Sequence, residues 1–429
     1  GSGANVAILA GETKFIATDG GGSGGVVYDV LTDVNLAGTT KTAALTNAGA
    51  LSNQGTVTVG VDDTGYDVKF FGATAGKYAL WDESADSWII SGTQSTVTAG
   101  TSNYIAGVNA GNSIASGGNY NVTIGDEAGT AITTGDKNTF VGYVSGDATT
   151  TANNNTAIGY GSLGANTTGA QNTSIGKDSL TTNTTADDNT ALGYEALRAN
   201  TTGASNVAVG RDALLANTTA ANNTAVGYAS LGANTTGTSN TAVGKGAMDA
   251  NTTGNTNVAV GDDALGANTT GAGNTAIGHD SSLSITTGGE NTSLGINSVR
   301  TLTTGSFNTG LGGGALQNTT TASNNTAVGY NSLLLNTTGA ANVAVGAQAL
   351  DANTTGAGNV AIGYNAGSAI TTANNNIAIG NGALDVTTTG ATNVAIGDSA
   401  LGANTTASNN VAVGSQALVA NTTGNINVA

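Results

Sequence analysis

The sequence contains no cysteine and no proline, and its aromatic content is 4%. Without cysteine the chain can form neither a disulfide framework nor a thiolate metal site. A 429-residue chain of average composition would contain roughly twenty prolines. Because proline has no N–H to donate and is excluded from central strands, its absence favours a continuous array of stacked strands.

Positive charge is also scarce. The chain contains 10 Lys and Arg residues and 27 Asp and Glu residues, and its net charge is −17. Nucleic acids and anionic membrane surfaces favour clustered Lys and Arg, so neither is an expected partner. No apolar run reaches about eighteen residues, and no membrane insertion of this segment is predicted. Charged residues make up 9% of the chain, but Val, Ile and Leu are frequent, which predicts an ordered chain rather than a disordered one.

The dominant feature of the sequence is a repeat. From Asn121 to Asn427 an asparagine recurs every 17 residues without insertion or deletion, so that 18 complete units fit. Each unit has the form N-[TV]-A-[VIL]-G-x-x-[AS]-L-x-x-N-T-T-G-x-x, and we number its residues as positions 1 to 17. A unit of this length is too short for a pair of helices, so each is predicted to form one coil of an all-β, parallel β-solenoid or β-roll.

The pattern within a unit predicts where its side chains lie. Positions 2 to 4 alternate as in a short strand, which places positions 2 and 4 on one face. We expect the aliphatic columns there, for example Val209, Val226 and Val243, to line the interior of the solenoid. Gly at position 5 and the N-T-T-G segment at positions 12 to 15 are turn residues. Position 9, usually Leu, is assigned to a second strand.

A compensating substitution connects positions 9 and 12. Where position 9 has no large side chain, position 12 changes from Asn to Ile, and the pairs are Gly129 with Ile132, Ser282 with Ile285, and Gly367 with Ile370. One side chain would fill the space that the other leaves, so both positions are predicted to face the same interior, with Asn at position 12 forming a hydrogen-bonded column at its margin. The unit with Gly146 and Thr149 departs from this pattern.

The composition of the coil also bears on oligomeric state. A few large apolar side chains per coil offset only part of the conformational entropy lost on ordering 17 residues. We therefore expect burial against other copies of the chain in a homo-oligomer, with the alanines at positions 3 and 8 permitting close approach between chains.

The repeats resemble a known family. The unit "NVAVGRDALLANTTAAN" at residues 206–222 and its neighbours are similar to the head repeats of YadA-like trimeric autotransporter adhesins, and the resemblance covers about residues 100–429. It implies a left-handed parallel β-roll within a trimer. The unit here is longer than that of the family by an N-T-T-like turn, so a monomeric triangular β-helix stays open as the alternative.

The chain before the repeats divides into three predicted regions. Residues 1–56 form an extended or linker segment with the hinge "DGGGSGG" at 19–25, and residues 57–92 form a small antiparallel β domain that holds Trp81 and Trp88. The stretch "GYDVKFFGATAGKYALWDESADSWIISG" at residues 65–92 resembles segments of fibre and other virion proteins of tailed phages. Residues 93–120 are predicted to be imperfect coils that cap the roll at 121–429. The final residues open another repeat, which predicts a longer parent protein.

No residue pattern indicates catalysis, a cofactor or a metal. The single histidine, His279, and the acidic pairs Asp126–Glu127 and Asp262–Asp263 occupy variable turn positions without partners of the kind that a nucleophile, a metal or a glycosidase needs. Surface contacts are a possible role for the position-6 tyrosines, which could stack on sugars, although turn decoration is the simpler interpretation. These residues are Tyr143, Tyr160, Tyr194, Tyr228, Tyr330 and Tyr364.

The sequence thus predicts a non-enzymatic, extracellular structural protein. The favoured function is the shaft of a virion fibre, from a phage tail or head, that presents a host-attachment module and has itself and a host-surface glycan or receptor as partners. The alternatives are a bacterial cell-surface adhesin of the trimeric autotransporter type, a homopolymeric surface filament, and an ice-binding solenoid that uses the threonine columns at positions 13 and 14.

Overall fold

The structure is a computed structural model that describes residues 16–18, 27–29, 68–71, 78–82, 87–91 and 98–429. The chain divides into two compact units, residues 1–92 and 93–429. The hinge predicted at residues 19–25 lies outside the described residues. Each unit is described by itself below.

Antiparallel strands form the described part of the first unit. Strand β1 (Ile16–Thr18) pairs with β2 (Val27–Asp29), and a separate sheet has the order β3 (Val68–Phe71), β4 (Tyr78–Asp82), β5 (Ser87–Ser91). In that sheet Trp81 lies opposite Val68 on one side and Trp88 on the other. The prediction of a small antiparallel β region before the solenoid is confirmed.

The second unit is a parallel β-solenoid with one three-residue strand per coil. Each strand pairs in register with the next along the chain, as Val209 does with Val226, and a bridge from Val411 to Val428 continues the stack. The described residues contain no helix. The predicted all-β solenoid with 17-residue coils is therefore confirmed. Its strands are β6 Tyr104–Ala106, β7 Val122–Ile124, β8 Thr139–Val141, β9 Thr156–Ile158, β10 Thr173–Ile175, β11 Thr190–Leu192, β12 Val207–Val209, β13 Thr224–Val226, β14 Thr241–Val243, β15 Val258–Val260, β16 Thr275–Ile277, β17 Thr292–Leu294, β18 Thr309–Leu311, β19 Thr326–Val328, β20 Val343–Val345, β21 Val360–Ile362, β22 Ile377–Ile379, β23 Val394–Ile396 and β24 Val411–Val413.

The face of each strand that points inward is the reverse of the prediction. Position 3 is fully buried, as at Ala208 and Ala225, whereas positions 2 and 4 lie on the outside and are only partly covered. Val209, Val226 and Val243 do stack in one column, but the column lies on the outer surface. The alanines at positions 3 and 8 were expected to face other chains, and they line the interior instead.

The narrow cross-section of the coil explains this reversal. Position 3 packs directly against positions 8 and 9 on the opposite wall: a Cβ added at Gly310 would lie 2.6 Å from a methyl group of Val299 and 2.8 Å from Oγ of Ser298. Large side chains on both walls would overfill this space, which costs typically about 1–3 kcal/mol per site. The interior therefore takes Ala from the strand and Leu from position 9, and the larger β-branched residues of the strand lie outside.

Position 9 lies in a series of turns rather than in a second strand. Hydrogen bonds from Ser162 N to Gly159 O, from Gly164 N to Gly161 O and from Asn166 N to Leu163 O close three successive turns in one coil. Leu163 has a φ of 57° there, and leucines at the same position share this left-handed conformation. Such a conformation costs an L-residue about 1–2 kcal/mol, which burial of the leucine side chain offsets with about 1.5–3 kcal/mol.

The compensation between positions 9 and 12 is confirmed. Ile132, Ile285 and Ile370 are all fully buried, and a Cβ added at Gly367 would lie 3.0 Å from Cδ1 of Ile370. The unit that departs from the pattern uses a third residue: Phe140 at position 3 fills the space beside Gly146, where an added Cβ would lie 2.6 Å from the ring. Both walls and the corner at position 12 thus share one interior volume.

Two columns of buried asparagine run along the interior. At position 1, the backbone N–H and the side-chain amide of Asn172 both donate to Oδ1 of Asn155 in the preceding coil, at 2.9 and 3.2 Å. At position 12, the amide of Asn183 donates to Oδ1 of Asn166 at 3.0 Å. The predicted hydrogen-bonded column at position 12 is confirmed, and like the column at position 1 it satisfies buried polar groups from coil to coil.

Candidate functional site: the ladder of position-6 side chains

Position 6 is placed on the outer surface by the glycine before it. Gly210 has a φ of 130°, and a Cβ added there would lie 2.5 Å from the carbonyl oxygen of Gly227 in the next coil. Only glycine fits this close approach. The strand ends at this glycine, and the turn that follows, with Asp212 at a φ of 60°, leaves the position-6 side chain of each coil exposed directly above that of the coil before.

Seven successive coils carry aromatic or cationic side chains at position 6, from Tyr143 to Lys245. The first six of these side chains contact one another, and we call them the position-6 ladder: Tyr143, Tyr160, Lys177, Tyr194, Arg211 and Tyr228. The rings of Tyr143 and Tyr160 have centroids 5.7 Å apart. Nζ of Lys177 lies 5.5 Å from the ring centroid of Tyr160 and 5.4 Å from that of Tyr194. Cζ of Arg211 lies 5.6 Å from the centroid of Tyr194 and 5.8 Å from that of Tyr228. The ladder is therefore continuous, and each cation lies between two rings.

Carboxylates at position 7 accompany the cations of the ladder. Lys177 pairs with Asp178 at 2.9 Å and Arg211 pairs with Asp212 at 3.2 Å. The hydrogen bond and charge of Asp178 raise the pKa of Lys177, and the hydrogen bond and charge of Glu195 raise the pKa of Tyr194. Both groups therefore keep their protons at neutral pH, and the ladder combines tyrosine rings with paired charges.

The structure brings together four of the six predicted contact tyrosines. Tyr143, Tyr160, Tyr194 and Tyr228 belong to the ladder and expose 49%, 51%, 41% and 50% of their surface. Tyr330 and Tyr364 are exposed at the same position, but the neighbouring coils place Gly313, Ala347 and Asn381 beside them. These two tyrosines stand outside the ladder.

Sequence reasoning missed Lys177 and Arg211 as members of the same surface. The signal was present, because both residues occupy position 6 between the tyrosines in an unbroken 17-residue register. The tyrosines alone form one adjacent pair, Tyr143 and Tyr160. Cation–π contacts between coils complete the surface.

The other candidate residues occupy exposed turns. Nδ1 of His279 lies 3.7 Å from Asp280, whose carboxylate also pairs with Arg300 at 3.3 Å. Asp262 pairs with Lys245 at 3.5 Å. Within residues 98–429 and the described strands before them, no group of three or more His, Cys, Asp or Glu side chains is placed to hold a metal ion. In the same parts of the chain, no helix has the length and apolar character needed to cross a membrane.

The threonines at positions 13 and 14 have different environments. At position 13 the hydroxyl donates to the backbone carbonyl of the same position in the next coil, as Thr167 does to Thr184 at 3.0 Å. At position 14 the side chains, such as Thr168, are exposed. Only one of the two columns therefore has hydroxyls that are free of this coil-to-coil bond.

A second surface runs along the outer face of the strands. Position 4 is aliphatic in every complete unit although it lies outside, and many of its residues are substantially exposed, including Leu192 at 45% and Leu294 at 48%. We call this column the aliphatic stripe. Its members are Ile124, Val141, Ile158, Ile175, Leu192, Val209, Val226, Val243, Val260, Ile277, Leu294, Leu311, Val328, Val345, Ile362, Ile379, Ile396 and Val413.

Fold and surface together define a β-solenoid protein with an aromatic and cationic ladder and an aliphatic stripe along its coils. Comparison of the chain with known protein families, with curated proteins and with solved structures finds no match.

Proposed function

We propose that the solenoid is the rigid shaft of an extracellular virion fibre that holds an attachment module away from the particle. The observation that carries this proposal is the unbroken register of 18 units, in which neighbouring strands pair residue for residue. A chain that keeps one coil length over this distance makes a straight array. At about 4.8 Å per coil, 18 coils give a rod roughly 85 Å long.

Stiffness follows from the contacts between coils. Besides the strand pairing, the asparagines at positions 1 and 12 and the threonine hydroxyl at position 13 bond to the neighbouring coil. Because these bonds recur with the same partners in successive coils, bending the rod would stretch several of them at once. This supports a mechanical role, and the proposal includes no catalytic activity.

The assignment to a virion is supported by the resemblance of residues 65–92 to segments of phage fibre proteins. Antibodies against residues 121–429 test it. Immunogold labelling of fibres on purified particles is the expected result. Labelling of a bacterial cell surface, with unlabelled particles, would contradict the assignment and favour the adhesin alternative.

We further propose that copies of the chain associate along the aliphatic stripe. The stripe runs the length of the rod, roughly 85 Å, and its exposed members include Leu192, Leu294 and Ile362. A contiguous exposed apolar surface of this extent marks an interaction site. A second copy of the chain has the same coil spacing, so its stripe stays in register over the full length.

A further inference from the structure

We propose that the position-6 ladder binds an extended, uncharged polysaccharide that lies along the solenoid. Binding is a property of the isolated chain. Its biological meaning, attachment to a polysaccharide-coated surface, rests on the proposed fibre function.

The spacing of the ladder fits a polymer rather than a small molecule. Tyr160, Tyr194 and Tyr228 recur in every second coil, which places them about 9.6 Å apart. A disaccharide in an extended chain of equatorially linked pyranoses has a similar length. The whole ladder from Tyr143 to Tyr228 spans five coil steps, or roughly 24 Å, enough for a short run of sugar residues.

The chemistry of the ladder suits sugar rings. Each tyrosine exposes about half of its surface. Because Lys177 and Arg211 lie over the ring of Tyr194, the ladder offers outward ring edges to sugar C–H groups and phenol hydroxyls to sugar hydroxyls. Between the rings, Lys177 and Arg211 supply hydrogen-bond donors, and their partners Asp178 and Asp212 supply acceptors. Hydroxyl-rich chains need such alternating donors and acceptors.

The charge of the ladder favours an uncharged ligand. Its two cations are each paired with a carboxylate at 2.9 to 3.2 Å, and Glu195 pairs with Arg198 at 2.9 Å beside them. No excess positive charge is left for a polyanion, and the whole chain carries −17. Single-stranded nucleic acids also stack on aromatic side chains, but they require a positively charged groove.

The isolated full chain should be titrated calorimetrically with cellohexaose, with an oligomer of polygalacturonate and with oligo(dT). We expect binding of cellohexaose and none of the two polyanions. Maltohexaose, whose axial linkages curl the chain, is expected to bind more weakly. Tighter binding of either polyanion, or no binding of cellohexaose, would overturn the proposal.

A pair of matched variants locates the site. Tyr194→Ala with Tyr228→Ala removes two ladder rings, and affinity for cellohexaose should fall by about tenfold or more. Tyr330→Ala with Tyr364→Ala removes two rings at the same turn position outside the ladder and should leave affinity unchanged. Equal loss in both variants would contradict the assignment of the site. Circular dichroism spectra that match the unsubstituted chain establish that both variants fold. If the chain binds cellohexaose but the antibodies label no fibres on particles, this inference holds and the proposed fibre function fails.

Discussion

At the scale of single residues, four aspartates at position 10 are placed where burial disfavours their charge. Desolvation raises the pKa of Asp147, Asp249, Asp351 and Asp385 above the ordinary value of 3.8. Position 10 of the following coil is Gly or Ser in each case, and a Cβ added at Gly164 would lie 3.3 Å from the Asp147 carboxylate. The small neighbours make room for the aspartate side chain, but they do not replace the water that the buried carboxylate loses.

The raised pKa values make stability depend on pH. The folded state holds these protons more tightly than the unfolded chain, so the free energy of unfolding decreases as pH rises from 3.8 through the raised values. Replacing all four aspartates with Asn should therefore raise the thermal midpoint by a few degrees at neutral pH and change it little well below pH 3.8. Thermal melts followed by circular dichroism at both pH values measure this.

Each Asp→Asn substitution also reduces the net negative charge of the chain, and this general effect on stability needs its own control. Asp398→Asn removes an exposed carboxylate at position 6 and should give a smaller gain than Asp249→Asn alone. If Asp249→Asn shows no gain over this control at neutral pH, burial of the position-10 carboxylates does not limit stability.

At the scale of the coil, the interior is filled jointly by positions 3, 9 and 12. Where Ile370 interrupts the asparagine column, Oδ1 of Asn353 in the preceding coil is buried without a hydrogen-bond donor, and Oδ1 of Asn268 is in the same situation before Ile285. A buried unsatisfied acceptor costs about 1–3 kcal/mol. The Gly–Ile coils therefore keep the volume of the interior but lose one link of the column.

Restoring the common coil at residues 359–375 tests this joint filling. Gly367→Leu alone should overpack against Ile370 and cost about 1–3 kcal/mol, and Ile370→Asn alone should open a cavity and cost about 2–5 kcal/mol. The double substitution fills the space with Leu and gives Asn353 a donor, so its stability should equal or exceed that of the original chain. Urea denaturation of the four proteins measures the coupling. Additive losses would show that the two positions do not share the interior.

The sequence predicted the coil length, the parallel register, the turn residues and the shared interior of positions 9 and 12. These features could be predicted because one pattern recurs in 18 units, and substitutions can be compared from unit to unit.

The sequence did not predict which face of the strand points inward. Alternation places Val207 and Val209 on one side of the strand but does not determine which side is inward. The prediction placed these two residues inside because they are larger and more hydrophobic than Ala208. The width of the coil decides, and it depends on how distant positions such as Ala208 and Leu214 meet. The left-handed turn conformation of Leu214, with a φ of 51°, could not be predicted either. Leucine has no local preference for this conformation, and burial of the leucine side chain offsets its energetic cost.

The site was predicted only in part. Tyr143, Tyr160, Tyr194 and Tyr228 could be found from their shared position in the repeat. The joining of these rings by Lys177 and Arg211 depends on side-chain placement between coils, which the register permits but does not determine.

At the scale of the whole molecule, the proposed association of copies along the aliphatic stripe is open to a direct test. Val209→Lys, Val226→Lys and Val243→Lys together place three charges on the stripe and should dissociate the oligomer to the 41.2 kDa chain, because burying unpaired charges is unfavourable. Light scattering after size-exclusion chromatography measures the mass.

The matched control for the stripe lies in the same three coils. Thr219→Lys, Thr236→Lys and Thr253→Lys add equal charge at the exposed position 14 and should leave the oligomer intact. An unsubstituted chain that is monomeric at micromolar concentration, or an equal response of both variants, would contradict association through the stripe.

The length of the rod as a function of repeat number tests the central claim most directly. Deleting residues 223–324 removes six whole units, and electron microscopy should show an ordered rod shorter by roughly 29 Å. Deleting residues 223–316 removes an incomplete number of units and should disrupt the fold locally. A rod of unchanged length after the first deletion, or the same behaviour of both variants, would contradict the stacking of 17-residue coils as the basis of the fold.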